Sequence, residues 1–165
     1  MFTDIVGYTA LMGKDSRKAM ELVKQRVGFQ KPIVEKHCGI WLEEMGDGVL
    51  TQFNSAMDAV NYAIEIQEQA SAKFYSKLRI GIHLGDVTIE NDDIYGDGVN
   101  IAVRLESIAD PGGIYLSESI EKAIRGQSSV QAKYLGEIKP KNVDYDVRTY
   151  AVQSLGLPVP DLTIG

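Results

Sequence analysis

A chain of 165 residues, 44% hydrophobic and 24% charged, has the composition of an ordinary globular protein and the length of one domain with a substantial core. Its net charge of −6 excludes nucleic acid and anionic membrane as partners held by bulk electrostatics, and an anionic substrate would need a local cation or a metal. The single cysteine, Cys38, makes no internal disulfide, and neither a membrane-span-length apolar run nor a signal peptide is found, so a cytoplasmic setting is expected.

The first element is the strand FTDIV, which starts without capping residues and is broken by Gly7-Tyr8-Thr9. From Ser16 to His37 the apolar positions Met20, Val23 and Val27 recur with helical spacing and predict an amphipathic helix, which Pro32 is expected to kink or divide. IWLEEM and VLTQF form two strands joined at Gly46-Asp47-Gly48, the residue chemistry of a tight hairpin. Ser55, with Asp58 three residues on, caps the next helix, whose stripe is Met57, Val60 and Ile64.

LRIGIHLGDVTI alternates through Leu78, Ile80, Ile82 and Leu84, then changes phase, which predicts a bulge or break near Gly85. The segment ENDDIYGDG is expected to be a loop leading into the helix VNIAVRLESIA, with the apolar face Ile101, Leu105 and Ile108. GGIYLS is a strand, residues 118–124 a short helix, and YLGEIK and VRTYAV a closing pair of strands. This order predicts an α+β fold: a ferredoxin-like or palm-type sandwich in which helices cover a mostly antiparallel sheet. The domain is expected to span residues 1–153, and the Pro-containing tail 154–165 to be a linker to other domains of a longer parent protein.

Several motifs fail on their spacing. Gly7 to Lys14 resembles a phosphate loop, but five residues separate its glycines where four are needed, and Asp15 replaces the metal-binding hydroxyl. Gly96 and Gly98 precede a helix, but Ile101 occupies the third glycine position of the dinucleotide fingerprint. His37 and Cys38 are adjacent and no second cluster completes a zinc site. His83 reads as a satisfied or surface histidine on the strand face opposite the apolar one.

Two aspartates stand out. Asp4 interrupts an apolar strand, where an unpaired carboxylate costs several kcal/mol, of order 2–7, in desolvation. Either Asp4 caps the turn at Gly7-Tyr8-Thr9 and Asp47 is only a turn residue, or together they hold two Mg²⁺ ions, which take oxygen ligands and share carboxylates with substrate phosphates. On the later helix Asn100 and Arg104 lie at i and i+4 on one side, off the apolar stripe. They are either a solvent-facing pair or a guanidinium and amide suited to a phosphoryl group and a sugar.

FTDIVGYTAL, EEMGDGVLTQF, LRIGIHLGDV and DDIYGDGVNIAVRLESIADPGGIYLS, in this order and spacing, resemble the catalytic domain of class III nucleotide cyclases, and the likeness runs from Phe2 to about Val152. The resemblance implies that Asp4 and Asp47 are metal ligands for two Mg²⁺ (or Mn²⁺) ions, with the backbone carbonyl of Ile5 assisting. It implies that Asn100 orients the ribose and that Arg104 stabilises the transition state at the α-phosphate. Arg79 is placed at the terminal phosphates and Lys139 at the triphosphate, although Pro140 and Asn142 stand where the family's lysine segment has glycines. It also implies a head-to-tail homodimer with sites at the interface, metals on one protomer and Asn/Arg on the other, making a cyclic nucleotide for intracellular signalling.

Substrate choice is left open between ATP and GTP. Glu43 stands where ATP-using members carry lysine, and a carboxylate there accepts from guanine N1–H and the 2-amino group. Asp93 stands at the second base-reading position, where aspartate accepts from the 6-amino group of adenine. The pair is mixed. A non-catalytic nucleotide-binding module that dimerises as a regulatory domain is the alternative, and a palm-like phosphotransferase lacks the glycine-rich signature it would need.

Overall fold

The computed structural model describes the 165-residue chain except residues 74–75, 86–87, 92, 128, 154–156 and 158–165, and describes only the backbone at 88–89 and 93–95. The expected linker at 154–165 therefore lies outside the described residues, apart from Leu157.

β1 (Phe2–Ile5), β2 (Ile40–Met45), β3 (Gly48–Gln52), β4 (Leu78–Ile82), β7 (Ile114–Ser117), β8 (Gln131–Ile138) and β9 (Val147–Gln153) form one seven-stranded sheet, in the order β2-β3-β1-β4-β7-β9-β8. Every neighbouring pair is antiparallel except β4 with β7. The α+β sandwich on a mostly antiparallel sheet is as expected. Parallel pairing of β4 and β7 requires a crossover, and helix α4 (Asp97–Ile108) supplies it.

α2 (Ser16–Lys36), α3 (Ala56–Lys73) and α5 (Glu118–Ile124) pack on one face of the sheet, where Leu78, Ile80, Ile82, Ile114 and Leu116 join Leu22, Val60, Tyr62, Ile66 and Ile120 in the main core. α4 covers the other face, with Ile101 and Leu105 against Tyr115, Leu135 and Ala151. The period-two alternation of β4 produces this division: Leu78, Ile80 and Ile82 enter the main core, while Arg79 and Gly81 turn toward α4. Gly81 is a packing requirement, because a Cβ there would lie 2.3 Å from the Ala102 carbonyl oxygen and 2.4 Å from the Glu106 amide nitrogen. Its absence lets α4 settle directly on the strand.

β1 ends ahead of Gly7-Tyr8-Thr9 as expected, but Gly7, at φ 77°, then turns the chain into an unexpected helix, α1 (Tyr8–Lys14), which has no side-chain cap. Other expectations are corrected. α2 runs through Pro32 undivided. Its buried stripe is Ala19, Leu22, Arg26, Gln30 and Val34, and Met20 is 54% exposed. Periodicity missed this face because two of its five members are polar. The segment expected as a loop after β4 contains the hairpin β5 (Thr88–Glu90) and β6 (Asp93–Tyr95), a pairing of short strands too brief to show a period. β4 ends at Ile82, ahead of the predicted phase change, and Leu84 is exposed.

Ser55 does cap α3, accepting from the Asp58 amide at 3.3 Å; Val60 is buried, whereas Met57 and Ile64 are partly buried at the core's edge. The β2–β3 hairpin turns at Gly46 and Asp47 as predicted, with a bulge between Trp41 and Glu43.

Candidate active site

Asp4 and Arg79 stand opposite each other in the β1–β4 register, so their side chains share the α4 face of the sheet. Arg79 donates from Nε to Asp4 Oδ1 at 3.3 Å and from Nη2 to Oδ2 at 3.1 Å, a two-pronged pairing that suits a planar guanidinium. Asp4 thus does not cap the turn after β1. Arg79 also donates to the Ser107 carbonyl and lies 3.4 Å from Glu106 Oε1.

Asp47 approaches from the hairpin. Gly46, at φ 61°, lets the β2–β3 turn close tightly, and Asp47 Oδ2 accepts a hydrogen bond from the Ile5 amide at 3.1 Å. That bond crosses from one strand pair to the next and sets the Asp47 carboxylate beside the residue that follows Asp4. Asp47 is therefore more than a turn residue. Burial pushes its pKa up, the Ile5 amide pulls it down, and the charge of Asp4 pushes it up again.

Glu106, on α4, is a member of this cluster that sequence reasoning missed. It is 3% exposed and faces Asp4 and Arg79. Burial raises its pKa well above the ordinary carboxyl range, reinforced by hydrogen bonding and repulsion from Asp4 and opposed by Arg79. Its signal in the sequence was a single acid between Leu105 and Ser107 on an otherwise apolar helix face, which reads equally well as a solvated position. Arg79 remains charged, since Asp4 outweighs the effect of burial.

The carboxyl groups gathered here are those of Asp4, Asp47 and Glu106, and Ile5, which follows Asp4, donates its amide to Asp47. Among the described residues no group of three or more His, Cys, Asp or Glu side chains is arranged to hold a metal. Two carboxylates with free coordination positions nevertheless fit Mg²⁺ or Mn²⁺, hard cations that keep waters and share carboxylates with substrate phosphates. The residues fit such ions.

Asn100 and Arg104 are not brought to this cluster. Both are exposed, and Arg104 makes only a 3.4 Å contact with Ser107 Oγ. Glu106 lies two residues beyond Arg104, about 200° round the helix, and that rotation separates the cluster from the exposed pair. Within one chain the buried Asp4–Arg79–Glu106 cluster and the exposed Asn100/Arg104 pair thus lie on different sides of α4.

The remaining predicted residues are placed as follows. Glu43 pairs opposite Leu50, which packs with Phe2 and Ala102, so it lies half-buried on the α4 face. Glu44 is exposed. Asp93 begins β6, and its side chain lies outside what the structure describes. Lys139 is exposed just beyond β8. His83 Nδ1 is 2.7 Å from Ser117 Oγ, which satisfies it as expected. No described helix is long and apolar enough to cross a membrane.

The family model described as the adenylate and guanylate cyclase catalytic domain matches residues 1–154. A Rhizobium meliloti (strain 1021) protein carrying a provisional adenylate cyclase name is 35% identical over 89% of this chain, which spans 26% of that protein's length. An adenylate cyclase of Streptomyces coelicolor is 32% identical over 75% of the chain, which spans 33% of its length. Among solved structures, an adenylate/guanylate cyclase/hydrolase from Silicibacter pomeroyi is 32% identical with a TM-score of 0.77, over 96% of this chain and 94% of that one. The catalytic core of a rhodopsin-guanylyl cyclase with converted specificity, solved with ATPαS, is 26% identical with a TM-score of 0.80, over 93% and 92% of the two chains.

Proposed function

We propose, from the premise that the chain belongs to the adenylate and guanylate cyclase catalytic-domain family, that it is a metal-dependent nucleotide cyclase. It converts ATP or GTP to the 3′,5′-cyclic monophosphate and pyrophosphate, works as a head-to-tail homodimer, and serves cytoplasmic second-messenger signalling within a longer protein. Residues 1–153 form the catalytic unit and 154–165 the linker. One observation carries the reading: the acidic and the Asn/Arg half-sites lie on opposite sides of α4, so a second copy is needed to bring them together.

Asp4, Asp47 and the Ile5 carbonyl would hold the divalent cations, which supply charge neutralisation at the phosphates and acidify the attacking hydroxyl. Arg79 turns from Asp4 to the terminal phosphates, and Lys139 adds charge at the triphosphate. Asn100 of the second copy orients the ribose, and Arg104 of that copy meets the charge that builds on the α-phosphate. The ribose O3′–Pα bond forms in line as the bond from Pα to the β-phosphate oxygen breaks, and the 3′-hydroxyl proton is lost. Glu43 and Asp93 would read the base, one with guanine-type and one with adenine-type chemistry.

Incubation of the purified dimer with ATP and with GTP, in Mg²⁺ and in Mn²⁺, followed by chromatography of the products, tests this. A cyclic product is expected from at least one nucleotide, with Asp47→Asn lowering the rate by about a hundredfold or more. No cyclic product from either nucleotide, with either metal, sinks the enzyme reading and leaves the nucleotide-binding module.

A further inference from the structure

Arg26 sits in the buried stripe of α2, 0% exposed, and none of its three guanidinium nitrogens has a hydrogen-bond partner. Leaving a guanidinium so buried costs several kcal/mol, of order 3–5, unless negative charge compensates it. It is not an isolated oddity. Of the eight buried side-chain atoms without partners among the described residues, seven belong to Arg26, Gln30, Thr3, Thr51 and Trp41. Register puts the strand members of that set on one face: Thr51 lies opposite Trp41, and Thr3 lies opposite Val49 and Ile80. They form a polar layer between α2 and the β2-β3-β1 part of the sheet, closed on the α3 side by Tyr62, to which Gln30 donates at 2.6 Å.

The charges on the two sides of this sheet region do not balance locally. Asp4 has Arg79 within 3.1 Å. Among the described residues Asp47 has no ion-pair partner, only the Ile5 amide, and Arg26 has none either. Burial pulls the Arg26 pKa down, and Asp47, then Tyr62, Glu44 and Asp4, oppose it. Glu44 is exposed and screened by solvent. Arg26, on α2 behind this part of the sheet, and Asp47, at the β2–β3 turn, are thus charges of opposite sign without ion-pair partners among the described residues.

We propose that Arg26 is the fixed counter-charge of the Asp4–Asp47 carboxylate pair, a positioning residue that offsets their repulsion in the metal-free protein and moderates their affinity for a divalent cation. It acts from behind the sheet, through the low-dielectric layer, and touches neither substrate nor metal. The inference rests on the metal-binding reading of Asp4 and Asp47.

The test is Mn²⁺ titration of the full chain without nucleotide, following free Mn²⁺ by electron paramagnetic resonance, together with thermal melts at zero and saturating Mn²⁺. Arg26→Met is expected to bind Mn²⁺ at least about threefold more tightly than wild type and to gain more in Tm from it, because the repelling charge is gone. Arg26→Lys, which keeps the charge, is expected to titrate like wild type. Mere structural damage would weaken binding, so tightening separates the two roles. Should Arg26→Met not fold, Arg26→Gln carries the same expectation. Mn²⁺ affinity unchanged or weakened in the neutral variants overturns the proposal. Asp47→Asn is the control: if it leaves Mn²⁺ binding intact, the metal-site reading itself fails, independently of Arg26.

Discussion

At the residue scale, Asp4 and Asp47 were legible because a carboxylate inside an apolar strand and one inside a glycine turn are costly or conspicuous on chemical grounds alone. Their relation was not legible, since it depends on the Ile5 amide reaching a side chain 42 residues away. On the proposed reading, substrate choice turns on Glu43. Glu43→Lys is expected to raise the ATP-to-GTP rate ratio by about tenfold, through exchange of an acceptor for a donor against the base edge. Steady-state rates with each nucleotide check this, and an unchanged ratio means that Glu43 does not meet the base. His83 carries a separate expectation. Burial lowers its pKa to about 4 from 6.5. Between those values the unfolded chain binds the proton and the folded chain does not. Stability is therefore complete above pH 6.5 and is lost as pH falls toward 4. Denaturant titrations across that window should show a shallower loss for His83→Gln than for wild type.

At the element scale, the positions of the seven strands of the main sheet and of α3, α4 and α5 follow from local patterns that tertiary packing did not overrule. α2 is the exception in its face. Counting apolar residues chose Met20, Val23 and Val27, whereas the core takes Arg26 and Gln30, and no period of hydrophobicity marks a buried guanidinium. The close seat of α4 on β4 depends on Gly81. Gly81→Ala is expected to cost about 1–3 kcal/mol, measured by urea unfolding, because the atoms its Cβ would strike are backbone atoms that cannot swing aside. The same displacement should loosen Glu106 from Arg79, so Mn²⁺ affinity should change along with stability.

At the scale of the whole molecule, the half-sites on either side of α4 make a prediction about pairs of chains. Asp47→Asn and Arg104→Ala should each be inactive alone. Mixed and allowed to exchange protomers, they should regain a substantial fraction of wild-type rate, since each mixed dimer holds one intact site. No recovery, with exchange verified, would place both half-sites within one chain's reach or exclude this dimer. On the proposed reading the net charge of −6 is no obstacle, because the cations at the phosphates would be local: Arg79, Lys139 and the Arg104 of the second copy.

The sequence by itself determined the fold class, the order of most elements and the family, and it singled out Asp4, Asp47, Asn100 and Arg104 as candidates. These rest on spacings of three, four and two residues and on turn chemistry, all of which are local along the chain. The tertiary structure alone decided that Asp47 accepts from the Ile5 amide, that Arg79 and Glu106 join Asp4 in one cluster, and that Arg26 is buried without a hydrogen-bond partner. Those relations join β1, β3, β4, α2 and α4, elements far apart in sequence. They depend on strand register and on charges buried together, which no local window of the chain contains.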